Sequence, residues 1–268
     1  VQDRRGIIPM KDLRIGDRVL VSPKQEYQTV YSFGHFHATM EASFLQIHYG
    51  STTAGSSGRS LELSRNHMVF VRQGGGTHKS VPAFMIEPGD WLILGENGDT
   101  AAVTRITTVR RRGVYAPFTP SGTLVVNDVL ASSYVALQDS DVLLLGAGIP
   151  TPLSHQWLAH VFESPHRMLC NASPVVGRWW CPLETYDPTT GISHWVYGPW
   201  KTSLWLMQQN TVVMISVALP LLGLFTSIWL IEKIAVHYVF YIGGLFVAVL
   251  CGHFVVGSCD VKRKQKRA

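Results

Sequence analysis

The chain has 268 residues, of which 46% are hydrophobic and only 15% are charged, and its formal net charge is +5. This length allows one or two domains with a hydrophobic core. The positive charge is concentrated in Arg110–Arg112 and in a basic run at 262–267 that follows an apolar stretch, a pattern that favours anionic lipid over nucleic acid. We find no signature of a DNA- or RNA-binding protein, and we expect no nucleic-acid partner.

The chain begins at Val1 and carries no signal-peptide pattern, so we expect a fragment or processed product of a longer precursor. All four cysteines, Cys170, Cys181, Cys251 and Cys259, lie in the second half, and their spacing matches no zinc motif. Cys170 and Cys181 could pair if their segment is lumenal. We expect no bound metal and no cofactor.

Residues 1–138 are predicted to be all-β. Short runs of apolar and β-branched residues alternate with clusters of Gly, Pro, Asn and Asp, and no convincing apolar stripe of helical period occurs among them. The clearest of these runs are 18–21, 44–48, 91–94 and 123–126.

The stretch Leu61–Val71 alternates like a buried strand but is interrupted by a polar break that contains Ser64 and His67. A turn is the simplest explanation, because Ser and Asn favour turns and a single histidine is more often structural than catalytic. The alternative is that the break supplies polar groups to a site.

An eleven-residue frame occurs twice, as Met10–Leu20 and as Ala83–Ile93. Both copies have an aliphatic residue, two variable positions, Gly-Asp, one variable position and then two aliphatic residues. The glycines, Gly16 and Gly89, suit a turn conformation that other residues resist, and each following Asp can accept hydrogen bonds from nearby amides. The repeat predicts a β module built from two pseudo-equivalent halves.

Four motifs in this order, Leu13–Leu20, Leu63–His67, Tyr115–Thr119 and Gly122–Tyr134, resemble the Hint module of Hedgehog-type proteins. The resemblance covers about residues 1–137. It implies an intein-like, all-β horseshoe with pseudo-twofold halves, which agrees with the internal repeat.

The resemblance also implies a chemistry. In such modules a cysteine at the first position attacks the carbonyl of the preceding residue to give a thioester, which a sterol hydroxyl then displaces. His67 matches the family's histidine, which polarises the scissile amide and protonates the leaving nitrogen. Ser64 stands where the family usually has Thr and retains the hydroxyl. Ser133 stands where the family has a cysteine near the active site.

Two further departures affect the prediction. The nucleophilic cysteine is absent from this sequence and is expected upstream of Val1, so the fragment alone is not expected to cleave. The carboxylate that activates the sterol should follow His48 closely, but the next acidic residue is Glu62. Sterol therefore stays one candidate acyl acceptor, and hydrolysis or the lack of a second step are the others.

Residues 139–205 are interpreted as a linker followed by a Trp-rich extension. Its segment Ser154–His160 has a faint likeness to the sterol-contacting region of Hedgehog-type proteins, but an interfacial aromatic belt is the favoured interpretation. Within 206–268, the apolar runs Thr211–Ile231 and Ile234–Ser258 are each long enough to span a bilayer. We therefore predict a transmembrane hairpin that turns at Glu232-Lys233, followed by a basic tail.

The sequence thus predicts a membrane-anchored module that cleaves its own precursor once, in cis, and releases an N-terminal part. Its expected partners are that N-terminal segment, the bilayer and, as one candidate, a sterol. The alternative is a catalytically inactive Hint-derived scaffold on a membrane anchor. A serine hydrolase using Ser64 or Ser133 with His67 is disfavoured, because no Gly-x-Ser-x-Gly motif surrounds either serine. The basic tail predicts a cytosolic C-terminus, whereas the family resemblance predicts a lumenal module in the secretory pathway.

Overall fold

The computed structural model describes residues 1–3, 6–50, 59–72, 76–95, 98–145, 148–171, 185–235 and 238. Most of the described residues before Ser154 form β-strands, and the helices follow after it. The strands are β1 (Gln2–Asp3), β2 (Gly6–Ile7), β3 (Arg18–Ser22), β4 (Glu26–Thr29), β5 (Ser32–Tyr49), β6 (Arg59–Leu63), β7 (His67–Arg72), β8 (His78–Pro82), β9 (Trp91–Ile93), β10 (Thr100–Phe118), β11 (Thr123–Val126), β12 (Val129–Val135), β13 (Val142–Leu145) and β14 (Ile149–Ser154).

The helices are α1 (His155–Phe162), α2 (Ser164–Asn171), α3 (His194–Met207) and α4 (Thr211–Ala235). Helix α4 continues without interruption through Glu232 and Lys233, where the sequence predicted a two-residue turn. A Glu-Lys pair favours solvent but does not break a helix, since both residues are good helix formers. The second predicted span, Ile234–Ser258, lies largely outside the described residues.

Two sheets carry the β module. The smaller has the strand order β2-β1-β3-β4, and the larger has the order β11-β12-β7-β9-β10-β5-β6, with β8 paired to β7. The long strands β5 and β10 run antiparallel from Tyr49–Val103 to Ser32–Phe118, with register shifts that bend the ribbon. The all-β prediction for this part of the chain is confirmed.

The internal repeat is also confirmed. Each copy opens with a short 3₁₀ turn, Met10–Asp12 in the first and Ala83–Met85 in the second. Gly16 and Gly89 then adopt matching left-handed conformations, with φ of 97° and 101°. Because a Cβ is strained at such φ values, glycine is the residue that suits both turns.

The two copies also share their hydrogen bonds. The Asp17 carboxylate accepts from the amide of Arg14, and the Asp90 carboxylate accepts from the amide of Glu87, both at 2.8 Å. Each Asp thereby fixes the turn that leads into β3 or β9. The halves are equivalent in local geometry, as the sequence predicted.

The core has a cluster around each copy and a smaller one that joins Leu20 of the first copy to Ile93 of the second. One cluster of buried side chains belongs to the first half and includes Leu13, Val19, Val30 and Phe33. A second belongs to the second half and includes Ile47, Leu61, Val69 and Leu92. Leu61 and Val69 flank the polar break of the sequence, so two buried strands hold that break in place.

The segment from Asp139 to Ser154, predicted as a linker, contains the hairpin of β13 and β14. It leads directly into α1, whose N-terminus is capped by Ser154: the Ser154 hydroxyl accepts from the amide of Trp157 at 3.2 Å. Buried Leu158 and Val161 face the module, and α1 packs on β12. The extension is therefore joined to the β module by packing as well as by the chain.

Candidate functional site

His67 is the first residue of β7 and follows a tight turn. Its amide donates to the carbonyl of Ser64 at 3.0 Å, and the carbonyl of Asn66 accepts from the amide of Ala136 at 2.8 Å. The break in the alternating pattern is thus a turn, which is the simpler of the two explanations. A backbone hydrogen bond also joins this turn to the end of β12. This bond sets where the imidazole lies.

Strand β12 is irregular where it passes His67. It pairs with β7 at Ala131–Val69 and at Val135–His67, and the register shifts between these two pairs. An irregular stretch leaves backbone groups outside the ladder. The carbonyl of Ser132 is one such group, and it lies 2.7 Å from Nε2 of His67.

This contact determines the tautomer of His67. Because a carbonyl oxygen only accepts, Nε2 must carry the hydrogen that it donates to Ser132. In the neutral ring Nδ1 then has a free lone pair. Burial lowers the pKa of His67, and the bond to Ser132 offsets this only in part, so the ring is neutral at physiological pH.

Ser133 lies beside this contact on β12. Its side chain is 2% exposed, and its amide donates to the carbonyl of Gly122 at 2.9 Å. Its hydroxyl has no hydrogen-bond partner within the described part of the chain. A buried hydroxyl without a partner is unusual and marks a position where a further group can be accommodated.

Ser64 reaches the site through its backbone. Its carbonyl accepts from the amide of His67, which fixes the turn, and its side chain is half-buried. Of the three residues predicted from sequence, Ser64 and His67 thus share one turn, and Ser133 follows Ser132, whose carbonyl contacts His67.

Gln156 of α1 also contributes to the site, although no sequence motif predicts it. The hydroxyl of Ser132 donates to Oε1 of Gln156 at 2.5 Å and accepts from the amide of Tyr134 at 2.8 Å. Nε2 of Gln156 in turn donates to the carbonyl of Gly122 at 3.3 Å. In the sequence, Gln156 is marked by its place in Ser154–His160, the segment with a faint likeness to the sterol-contacting region of Hedgehog-type proteins.

A second buried polar network lies beneath α2. Glu163 is 6% exposed; it accepts from the hydroxyl of Tyr31 at 3.1 Å and makes a short contact with Nδ1 of His166. His166 also stacks on Trp195 of α3, with ring centroids 4.9 Å apart. Nε2 of His166 is buried and has no partner among the described residues.

The network continues to α4. The guanidinium of Arg167 forms two hydrogen bonds of 2.6 Å to the carboxylate of Glu232. Burial alone would lower the pKa of Arg167, but the bonds to Glu232 outweigh it and raise that pKa. His160 also contacts Arg167 and Tyr134, and its pKa falls to about 3 because it is buried and close to Arg167 and Lys233.

Helix α4 is the one helix within the described ranges that is long and apolar enough to cross a membrane, by length and composition. Cys170, near the end of α2, is disulfide-bonded, and the predicted partner Cys181 lies outside the described residues. Across the described ranges, no group of three or more His, Cys, Asp or Glu side chains is arranged to hold a metal ion.

The Hint module family model matches residues 1–196. Since this is more than half of the sequence, the chain belongs to the Hint module family. Among individual proteins, the chain is similar to hedgehog proteins. It is 29% identical to Tiggy-winkle hedgehog protein of Danio rerio over 205 residues, which are 69% of this chain and 48% of the relative.

A second relative is Protein hedgehog of Drosophila yakuba, 33% identical over 198 residues, which are 70% of this chain and 38% of the relative. With Sonic hedgehog protein of Xenopus laevis it is 33% identical over 142 residues, which are 50% of this chain and 31% of the relative. The chain is thus a Hedgehog-type Hint domain, and it spans less than half the length of these relatives.

Solved intein structures are also similar. The gp41-1 intein has a TM-score of 0.37 and 17% identity, with 49% of this chain and 91% of that chain covered. A bacterial intein-like domain from Clostridium thermocellum has a TM-score of 0.34 and 16% identity, with 49% and 92% covered.

Proposed function

We propose that this chain is the processing part of a precursor that cuts itself once. A cysteine preceding Val1 in the precursor would attack the carbonyl of the residue before it, and an N-terminal part would be released. The observation that carries the proposal is the bond from Nε2 of His67 to Ser132, because it leaves Nδ1 of the same ring free to exchange a proton.

The proposed first step is an N-to-S acyl shift. The thiol sulfur forms a bond to the carbonyl carbon, and the carbon–nitrogen bond of the amide breaks. Nδ1 of His67 takes up the proton released by the thiol and delivers it to the departing nitrogen, so an amide and a thiol become a thioester and an amine. A lowered pKa suits this role, since an imidazolium in such a site gives up its proton readily.

The two serines support this step by positioning. The hydroxyl of Ser133, buried and partnerless among the described residues, is free to bond a backbone group of the entering scissile segment. Ser64 holds the His67 turn through its carbonyl, and its hydroxyl can orient the same segment. Both are assigned as positioning residues, whereas His67 handles the reacting proton.

The proposed second step transfers the acyl group from sulfur to a nucleophile. No carboxylate follows His48 before Glu62, so we propose water or a small thiol as the acceptor. A sterol is the second candidate, and one observation favours it: an apolar cavity of about 360 Å³ is lined by residues of α1, α2, α3 and α4. Its lining residues are Phe162, Pro165, Trp195, Pro199, Phe225 and Ile228.

We also propose that the module works at a membrane, on its lumenal side. The apolar helix α4 supports an attachment to lipid, and the disulfide of Cys170 supports an oxidising compartment. The N-terminal segment of the same precursor is the proposed protein partner. The hedgehog relatives support this, because the match covers less than half of their length.

Mass spectrometry of the released part tests the acceptor. The full precursor is incubated alone, with dithiothreitol or with cholesterol, and the N-terminal product is weighed. The proposal expects a free acid without additive, a thiol adduct at higher yield with dithiothreitol, and little effect of cholesterol. A stoichiometric sterol-sized mass increase would move the sterol into first place, and no cleavage under any condition would favour the inactive scaffold.

A further inference from the structure

Helix α4 is covered along one face by the rest of the molecule. Met214, Phe225, Trp229 and Glu232 recur at helical spacing and share that face. Met214 is 8% exposed, Phe225 lies 4.7 Å from Phe162, and Trp229 lies 6.3 Å from Trp157, measured between ring centroids. The contacts with α1 and α2 lie at Phe225, Trp229 and Glu232, and Met214 is buried near the other end, so one face of α4 is covered along most of its length.

The Arg167–Glu232 pair fixes this arrangement. The Arg167 side chain is 2% exposed and that of Glu232 is 12% exposed, so both charges are withdrawn from water. Removing either partner would leave an uncompensated buried charge, which is strongly destabilising. Glu232 therefore acts as a specific attachment point within an otherwise apolar helix.

The opposite face of α4 is apolar and uncovered. Val212, Leu219, Leu230 and Ile234 lie on it, and they are 75%, 60%, 48% and 55% exposed. Helix α3 also has exposed large apolar residues, which are Trp200, Leu204 and Trp205. Exposed apolar surface of this extent marks an interaction site.

Charge and length indicate what covers it. The two helices contain three charged residues, Lys201, Glu232 and Lys233, and Glu232 is paired internally, so the outward charges are both positive. Positive charge beside apolar surface fits an anionic lipid headgroup layer. At 1.5 Å per residue α1 and α2 are about 12 Å long and α3 about 21 Å, too short for the roughly 30 Å hydrocarbon core.

We infer that α4 lies in the plane of the membrane, with its outer face and that of α3 in the lipid and its inner face on α1 and α2. If α4 instead crossed the bilayer, α1 and α2 with their buried polar network would be carried into the hydrocarbon. The inference rests on the proposed membrane association and adds its geometry: the module sits directly on the bilayer surface.

The test is a depth profile in vesicles of phosphatidylcholine with one quarter phosphatidylglycerol. The full chain receives a single fluorophore, through a genetically encoded side chain, at Val212, Leu219 or Leu230, and quenching by lipids with doxyl groups at different acyl positions gives its depth. All three sites share one face. An in-plane helix places them within about 5 Å of one depth, whereas a perpendicular span separates Val212 from Leu230 by about 27 Å.

A matched pair of variants tests the attachment point. Glu232→Gln should abolish the common depth of the three fluorophore positions, since it leaves Arg167 unpaired. Lys233→Gln, at the neighbouring exposed position, should preserve that common depth. The double variant Arg167→Met, Glu232→Met should preserve it as well, because an apolar pair can replace a buried ion pair. This double variant separates loss of docking from loss of folding.

Flotation of the chain with the vesicles distinguishes a failure of the in-plane geometry from a failure of membrane association. Flotation with depths that differ by 20 Å or more would overturn the in-plane geometry and leave membrane association intact. A chain that sediments as a dimer or monomer and does not float would overturn both.

Discussion

Nε2 of His67 donates to the carbonyl of Ser132 at 2.7 Å, and this one bond relates the two halves of the site. It joins β7 to the irregular stretch of β12 and assigns the ring hydrogen to one nitrogen. The position of Ser132 is set in turn by Gln156, so a residue of the helical extension influences the histidine.

The first prediction concerns Gln156. Gln156→Ala removes the acceptor for the Ser132 hydroxyl, and we expect precursor cleavage to slow about fivefold, which corresponds to about 1 kcal/mol for one hydrogen bond. The nitrogen chemical shifts of the His67 ring should show a mixed tautomer population. Gln138→Ala is the control, because the Gln138 side chain bonds the backbone of Leu144 instead. Unchanged His67 shifts in the Gln156 variant would remove its positioning role.

The second prediction concerns Ser133. Because its hydroxyl lacks a partner among the described residues, Ser133→Ala should change the free energy of unfolding by less than about 0.5 kcal/mol. Cleavage should nevertheless slow about fivefold, since the hydroxyl bonds the substrate segment. Denaturant titration and a gel time course measure the two quantities. A variant that loses stability but cleaves at the parental rate would assign Ser133 a purely structural role.

The third prediction concerns acid stability. The pKa of His160 is 6.5 in the unfolded chain and about 3 in the folded one, so the unfolded state binds the extra proton first as pH falls. Stability should be fully present above pH 6.5 and should decline towards pH 3, by about 1.4 kcal/mol per pH unit for one group. In denaturant titrations from pH 6 to 4, His160→Gln should reduce the slope of the unfolding free energy against pH by about 1.4 kcal/mol per pH unit. An unchanged slope would contradict the assignment.

The fourth prediction concerns topology. Protease added to sealed microsomes should remove the basic tail 262–267 and spare residues 1–200, because positive charge favours the cytosol and the Cys170 disulfide favours the lumen. Digestion of the module in intact microsomes would place it in the cytosol instead.

The β module could be predicted from the sequence because its signals are local. The Gly16-Asp17 and Gly89-Asp90 turns are specified by adjacent residues, and the polar break before His67 is visible as an interruption of alternation. Ser64, His67 and Ser133 could be named because their motifs occur together. Residue types and spacing are sufficient where the structure depends on neighbours in the chain.

The helical region could not be predicted in the same way. The sequence pattern predicts a turn at Glu232, because a charge between apolar runs favours solvent, whereas its partner Arg167 is 65 residues away. Gln156 likewise gains its role from Ser132, 24 residues earlier. Such pairings depend on how separate elements pack, which hydrophobic periodicity does not report.

If His67 handles the reacting proton, its removal should abolish cleavage of the precursor, and a time course of cleavage measures this. The precursor with its upstream segment restored is purified as the parent, as His67→Ala and as Ser64→Ala, and the released N-terminal part is followed on a gel. We expect the parent to cleave without added enzyme. The cleavage rate should fall by at least about 100-fold in His67→Ala, because general acid–base catalysis contributes about 10²–10⁴-fold. It should fall less in Ser64→Ala. Cleavage of His67→Ala at the parental rate would contradict this role of His67.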